Sequence, residues 1–507
     1  MVLSQKAATA AIAGICVAFV AIRLFHLTDS CLWFDEIFTV HAAEHSWNSI
    51  LSFVALDLIH PPLFYILLKL WIGVGGDSLF WLRLFPVVFA VIAIHPFLSL
   101  CNELKLKFWT RMLALFLFAV NGSLIKYAQE VRMYSLLLCL SLFSIWLFAR
   151  FLNNGKGFLP LFIINVLLVY THYFGLLVLG AEVAAVLYLQ RARWLRMMTM
   201  TGVVLVFFLP WVIAVSRAAG EASALGQNIG WMTRPGLKAV IQFVLNLVEP
   251  FYYQASSADP MSIFKVSVPM FLILAAAVVW YFSYWKIHAE EDRAAIKFLS
   301  LISILPLSGA FAASWLLPYS VWGSRHLIIL FAPVSIFLAI ALTKIPKPGV
   351  RTAALVFILL FGGYAFVIRS AQDRPQYIWC AWNDVARVLS SDAHGQSAKV
   401  YVFEDLIAYH LWFALRDTEN AAVFRVMGTR VANDDAYFLP RGFDGVRKID
   451  LSEIDGERIT IAFRSDDLEG NQSPISNLVA RGYEVVATVP FPVGTSTAYL
   501  CELKFRE

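Results

Sequence analysis

Two adjacent carboxylates, Asp35 and Glu36, close the stretch Ser30-Cys31-Leu32-Trp33-Phe34-Asp35-Glu36, just after the first long apolar run of the chain. Ionisable groups at a membrane edge are expensive to hold, so such a pair marks a candidate site. Three further clusters follow. Asp57 and His60 precede Pro61-Pro62; Lys126, Glu130, Arg132 and Tyr134 fall within nine residues; and a split group combines Thr171-His172-Tyr173 with Trp322-Gly323-Ser324-Arg325-His326. Together they offer acids, two arginines and several histidines at helix ends. That set suits transfer of a group from a phosphorylated lipid. Arg132 and Arg325, with Lys126 beside them, suit the anionic phosphate, and helix N-termini assist. Asp35, with Glu36 next to it, suits the general base that an acceptor hydroxyl needs. Asp57, His60, Glu130, Tyr134, His172, Tyr173 and His326 are the candidate substrate contacts. Phosphate leaves without protonation, so no acid is required, unlike glycoside hydrolysis.

Each cluster also fits a plainer reading. The acid pair fits a solvated loop. Lys126, Glu130 and Tyr134 share one helix face, and an exposed Lys–Glu pair at that spacing contributes only about 0.3–0.5 kcal/mol. A lone histidine at a membrane edge is commonly interfacial, Arg325 can snorkel, and Trp33, Tyr127 and Trp322 fit an aromatic belt.

The elements that must position these residues are membrane helices. Of the 507 residues, 60% are hydrophobic and 15% charged, against about 45–50% and about 25% in soluble domains. The net charge of +5 is spread thinly, which argues against a nucleic-acid footprint. An apolar run from Ala8 to Leu27 reads as an uncleaved first helix with Arg23 snorkelling near its outer end. Residues 28–77 read as an outer loop holding one or two surface helices. Spans follow over 78–101, 109–125, 131–150, 158–172, 174–190 and 198–216, then, after a polar-aromatic loop over 217–263, over 264–285, 298–317, 326–343 and 352–369. At roughly 20 residues per crossing this makes about eleven transmembrane helices. Lys105, Lys107, Arg150, Lys156, Arg191, Arg193, Arg196, Lys286, Arg293, Lys297, Lys344, Lys347 and Arg351 all alternate onto one side, which places that side and the N-terminus in the cytoplasm and the four clusters outside.

From Asp373 the composition turns polar. Strands are expected at Lys399–Phe403, Ala422–Val426, Arg458–Phe463, Glu484–Val489 and Ala498–Phe505. Helices are expected at Trp382–Ser390, Leu406–Leu415 and Ile475–Arg481. Strands alternating with helices predict a small α/β domain over 373–507, extracytoplasmic, after a transmembrane domain over 1–372. Six cysteines without C-x-x-C spacing exclude a metal knuckle, and Cys380 and Cys501 are candidates to pair in an oxidising compartment.

Several of these stretches resemble those of family 39 glycosyltransferases and their relatives, which have the glycosyltransferase-C membrane fold and include protein mannosyltransferases and the lipid A aminoarabinose transferase. The resemblance rests on Ser30–Glu36, on Asp57 with His60-Pro61-Pro62-Leu63-Phe64-Tyr65, on Gln129-Glu130-Val131-Arg132-Met133-Tyr134, on Tyr170-Thr171-His172-Tyr173-Phe174-Gly175 and on Ser324-Arg325-His326, and covers roughly residues 1–370. It implies sugar transfer from a polyprenyl-phosphate donor on the outer face of a bacterial inner membrane, usually with inversion, with the first-loop carboxylate Asp35 as the catalytic residue and Glu36 beside it. The acceptor is left open among lipid A or its core, another glycolipid, and protein. Some relatives hold a divalent metal ion near this loop and others work without one; Asp35, Glu36 and His60 are the residues that would contribute. The family often has Asp-x-His-Pro-Pro, whereas Leu58 and Ile59 here separate Asp57 from His60. No soluble nucleotide is expected as cofactor, because none is available outside. Two other readings compete: a glycolipid transporter or flippase, against which the mostly apolar midplanes and lack of repeats argue, and a non-catalytic membrane scaffold.

Overall fold

The computed structural model describes residues 5–220, 230, 232–251, 264–371, 377–392, 399–418, 421–429, 445–468, 473–494 and 496–506. The helices, in chain order, are α1 (Gln5–Leu24), α2 (Phe34–Glu44), α3 (Ile50–Asp57), α4 (Leu63–Gly75), α5 (Leu79–Ile92), α6 (Ile94–Glu103), α7 (Phe108–Val120), α8 (Gly122–Ala128), α9 (Tyr134–Asn154) and α10 (Phe158–Thr171). They continue with α11 (Gly175–Leu189), α12 (Trp194–Gly220), α13 (Leu237–Asn246), α14 (Phe264–Ser283), α15 (Glu290–Leu316), α16 (Phe331–Thr343), α17 (Pro348–Ala371), α18 (Ile378–Asp392), α19 (Asp405–Leu415) and α20 (Pro474–Val479). Among the described residues, six stretches are long and apolar enough to cross a membrane: Leu79–Glu103, Tyr134–Asn154, Arg191–Ala219, Glu290–Leu316, His326–Thr343 and Pro348–Ala371. Shorter apolar helices, α4, α7, α10 and α11 among them, accompany these.

The described residues fall into two units. One takes in the chain to Leu27, residues 50–251 and residues 264–371; the other takes in Thr28–Ser49 and the residues from 377 onward. The boundary expected at 372–373 lies outside the described residues.

In the first unit, polar residues decide where apolar runs break. Asn121 sits inside the run read as one span over 109–125. Its side chain accepts from the Leu124 N–H and caps α8, so the run divides into α7 and α8; such a cap contributes about 1 kcal/mol. The segment read as carrying one or two helices forms three, α2, α3 and α4. Arg23, expected to snorkel, is instead buried. Its guanidinium lies over the Phe19 ring and donates to the Ala119 carbonyl of α7. Glu249 and Arg369 form a fully buried ion pair between the segment after α13 and the end of α17. A second buried group ties three helices together: Ser144 of α9, Asn165 of α10 and Glu182 of α11. The Ser144 hydroxyl lies 2.6 Å from both Asn165 Oδ1 and Glu182 Oε1, and Asn165 Nδ2 donates to Glu182 Oε2 at 3.0 Å.

The second unit is built on a six-stranded sheet: β1 (Lys399–Val402), β2 (Ala422–Met427), β3 (Val446–Asp450), β4 (Arg458–Arg464), β5 (Tyr483–Val493) and β6 (Ser496–Phe505), ordered β3-β2-β1-β4-β6-β5. Strands β3, β2, β1 and β4 run parallel, while β6 is antiparallel to β4 and to β5. Successive side chains of a strand point to opposite faces of the sheet. Tyr401, Phe403, Ile459, Ile461, Phe463, Cys501 and Leu503 form one core with Ile454 and Leu478. Val400, Val402 and Ala462, also buried, alternate with them and point to the other face. The five expected strands are present, and β3 is an addition. Cys380 is bonded to Cys31, not to Cys501, which stays a buried thiol within β6. The bond joins the segment before α2 to α18. Further along α2, Phe34 stacks on Tyr409 and His41 meets Trp412 edge-on, so α2 lies along α19.

Candidate functional site

Asp35 and Glu36 occupy the first turn of α2, where carboxylates complement the helix N-terminus. Their environments differ. Glu36 is fully buried and its carboxylate accepts from the Trp33 N–H at 3.2 Å, closing the first turn. Asp35 is partly exposed, and its backbone carbonyl accepts from the Thr39 hydroxyl at 2.7 Å.

The first unit gathers most of the remaining candidates. α3 ends at Asp57, and the next residue, Leu58, takes φ +64°, a left-handed conformation that costs a branched side chain about 1–3 kcal/mol. That turn absorbs the extra residue between Asp57 and His60. The Asp57 carboxylate lies 2.7 Å from His60 Nδ1, and His60 Nε2 lies 3.1 Å from an Arg132 terminal nitrogen. A guanidinium only donates, so His60 Nε2 is an acceptor and the ring proton sits on Nδ1, donated to Asp57. Arg132 precedes α9 in a tight turn where its N–H donates to the Glu130 carbonyl at 2.6 Å, and its side chain is 2% exposed. Lys126 of α8 and Glu130, which lies beyond the end of that helix, pair at 3.7 Å, both buried; α8 ends at Ala128, so Lys126, Glu130 and Tyr134 do not share one helix face. Gln129 fastens the segment by donating to the Arg23 and Phe25 carbonyls.

The histidines close in from two other elements. The His172 ring centroid is 6.0 Å from that of His60 and 5.1 Å from that of His326. Its Nδ1 accepts from the Phe174 N–H, which leaves the proton on Nε2, a buried donor without an acceptor among the described residues. His326, His60, Arg132 and Arg325 lie close enough for their charges to act on His172. His326 begins a 3-10 turn, His326–Leu330, and faces Tyr134 at 6.3 Å. A side chain at Gly323 would meet the His326 ring at 2.9 Å and would push it out of place. Tyr173 accepts from Trp211 of α12 at 3.2 Å; burial, with a smaller effect of Asp57, pushes its hydroxyl up to about 12. Trp211 and Leu58 carry no signal in the sequence, one lying within an apolar run and the other resembling any loop leucine.

Three cations, Lys126, Arg132 and Arg325, thus share the first unit's cluster with two carboxylates, Asp57 and Glu130, each already paired. The arrangement suits holding an anion better than removing a proton. His60 has both ring nitrogens committed and, as arranged, none left for a metal. Among the described residues, no group of three or more His, Cys, Asp or Glu side chains is placed to hold one.

No protein-family model and no curated protein sequence matches the chain. Solved structures do. ArnT from Cupriavidus metallidurans in the apo state superimposes with a TM-score of 0.60 at 12% identity, over 97% of this chain and 98% of that one. The same protein bound to undecaprenyl phosphate gives 0.58 at 11% identity, over 98% of each chain. The Archaeoglobus fulgidus oligosaccharyltransferase AglB, in complex with an inhibitory peptide and a dolichol-phosphate, gives 0.46 at 14% identity, over 80% of this chain and 64% of that one. The chain therefore has the glycosyltransferase-C fold of ArnT along nearly its whole length.

Proposed function

We propose that the chain is a glycosyltransferase of a bacterial inner membrane that moves a sugar from a polyprenyl-phosphate donor to an acceptor hydroxyl on the outer face, with inversion. The acceptor classes are lipid A or its core, another envelope glycolipid, and protein. One observation carries the reading: Arg132, buried just before α9, is bonded to His60, whose ring packs against that of His172, in a chain with the fold of a protein solved with undecaprenyl phosphate.

In this reading Arg132, Arg325 and Lys126 neutralise the donor phosphate, and a phosphate oxygen supplies the acceptor that His172 Nε2 lacks. The acceptor oxygen attacks the anomeric carbon as the bond from that carbon to the phosphate oxygen breaks. The hydroxyl proton passes to Asp35, and polyprenyl phosphate departs as its anion. Glu36, holding the first turn of α2, keeps Asp35 in place. The N-terminus then faces the cytoplasm and residues 373–507 lie outside.

The test compares envelope glycolipids and glycoproteins by mass spectrometry in cells carrying the intact gene, a deletion, or Asp35→Asn at matched membrane levels. Deletion and Asp35→Asn are expected to lose the same sugar from the same molecule, with turnover of the purified variant down about 10²–10⁴-fold. Near-normal turnover in Asp35→Asn removes it as the base. Movement of labelled glycolipid across liposomes with no new glycosidic bond favours a carrier instead.

A further inference from the structure

We propose that Glu182 is a neutral carboxylic acid whose proton closes the Ser144–Asn165–Glu182 ring, and that this ring positions the α10–α11 turn, His172 included, against α9. The positioning role rests on the assignment of His172 to the donor phosphate; the location of the proton does not. Glu182 lies outside the site and takes no part in the transfer proposed above.

The proton follows from counting hydrogens. Three contacts close the ring, and each needs one: Ser144 Oγ with Asn165 Oδ1 at 2.6 Å, Ser144 Oγ with Glu182 Oε1 at 2.6 Å, and Asn165 Nδ2 with Glu182 Oε2 at 3.0 Å. The hydroxyl carries one hydrogen, so it serves one of its two contacts. The amide turns its oxygen to one neighbour and its NH2 to the other, so it serves one contact whichever way round it is set. An ionised carboxylate brings none. Two hydrogens for three contacts leave one missing, and a protonated Glu182 supplies it. With the amide as placed, Ser144 donates to Asn165 Oδ1, the Glu182 Oε1 hydroxyl donates to Ser144 Oγ, and Asn165 Nδ2 donates to Glu182 Oε2. All three residues are 0% exposed, so bulk water does not reach the ring. Among the described residues no cation pairs with Glu182, so its ionised form would be a bare charge inside the bundle.

The position of the ring gives it a task. Ser144 lies ten residues after Tyr134, where α9 begins; Asn165 lies six before Thr171, where α10 ends; Glu182 lies seven after Gly175, where α11 begins. At 1.5 Å per residue the ring is about 9–15 Å along each axis from those helix ends. His172, Tyr173 and Phe174 make up the whole connection between α10 and α11. Tying both helices to α9 therefore fixes that turn, and with it the buried Nε2 donor of His172.

The test uses purified full-length protein in detergent and two readouts. Infrared difference spectra of wild type against Glu182→Gln, at neutral pH, report the carboxyl itself. The variant is expected to lose one protonated-carboxyl C=O band; loss of carboxylate bands instead overturns the proposal. Binding of undecaprenyl phosphate, with undecaprenol as the control lacking the phosphate, reports the turn. Glu182→Gln, whose amide donates to Ser144 and accepts from Asn165 as the acid does, is expected to stay within about twofold of wild type. Glu182→Leu fills similar space without hydrogen bonds, and is expected to lose about threefold to tenfold for the phosphate-bearing lipid and nothing for the alcohol. Ser144→Ala should behave as Glu182→Leu does. Retention in glutamine but not leucine, confined to the phosphate-bearing lipid, is not what a general loss of packing produces. Should Glu182→Leu fail to fold, Ser144→Ala carries the comparison, with melting temperature as the check. If Glu182→Leu and Ser144→Ala both stay within about twofold while the acid band is present, the positioning role is wrong and the proton assignment stands. If His172→Ala binds undecaprenyl phosphate as wild type does, the assignment of His172 fails and the positioning role fails with it, while the infrared result still decides the proton.

Discussion

Removing the Cys31–Cys380 bond tests how α2 is held. The two cysteines are 349 residues apart in sequence. If the intervening chain were free coil, closing that loop would remove about 6 kcal/mol of disordered-state entropy at 25 °C. That is an upper limit, because residues 50–371 keep their own packing when the second unit opens. A loop of about 15 residues sets the lower limit, about 3 kcal/mol. The open form of the second unit should therefore become about 10²–10⁴-fold more populated in Cys31→Ser or on reduction, and proteolysis within residues 377–506 should accelerate by the same factor where cleavage follows the open population. The assay is limited proteolysis of purified protein, oxidised and reduced, read by mass spectrometry, alongside thiol alkylation in denaturant. Cys16, Cys101, Cys139 and Cys501 should label without reductant, and Cys31 and Cys380 only after it. Turnover should fall at least tenfold on reduction, because Asp35 begins the helix the bond secures, while undecaprenyl phosphate binding stays within twofold. Labelling of all six cysteines without reductant refutes the bond. Equal proteolysis with and without it refutes the role given to it.

Other outcomes follow from buried polar groups. Glu249→Leu strands Arg369 in the interior and should destabilise the protein by about 3–5 kcal/mol, whereas replacing both by methionine should be nearly neutral; melting temperature in detergent reads both. In the second unit, burial holds His410 down to about 4, against a backbone bond to Leu406 that favours the charged form. Between pH about 6.5 and about 4 the unfolded chain takes up a proton that the folded ring refuses, so stability should fall through that window by about 3 kcal/mol and level off below it. His410→Leu should flatten that slope, and an unchanged slope would show that another group carries it. Glu182→Gln should leave the melting temperature within a few degrees, because an amide donates to Ser144 and accepts from Asn165 in the same ring. Glu182→Ala should lower it markedly.

The legible parts of the sequence were those governed by periodicity. The short apolar runs in Lys399–Val402 and Arg458–Arg464 mark strands because both faces of the sheet are buried there. β3 escaped notice because Val446–Asp450 is an edge strand whose charged residues face solvent and blur the alternation. The helical membrane character and the ArnT-like fold were visible in composition and in five short motifs. What could not be read was pairing at a distance. Cys31 looked like part of an acidic motif, and nothing local says that residue 380 is its partner. Asp57 and His60 stand out as one cluster, but their spacing departs from Asp-x-His-Pro-Pro, and the left-handed turn at Leu58 that brings them together has no local signature. Glu182 sat unremarked within an apolar run because its partners come from two other helices.

The Ser144–Asn165–Glu182 ring also constrains how the chain enters the bilayer during synthesis. α10 and α11 each carry one strongly polar side chain in a short apolar helix, and neither is a good substrate for lipid on its own. Glu182 finds its hydroxyl on α9 and its amide on α10, both made earlier. Release of α10 into lipid before α11 emerges should therefore be disfavoured relative to release of the three helices as one group. A chain arrested between α10 and α11 would leave Asn165 without its carboxyl partner. The order of synthesis, and not only the finished architecture, thus bears on how the cost of burying Glu182 is met.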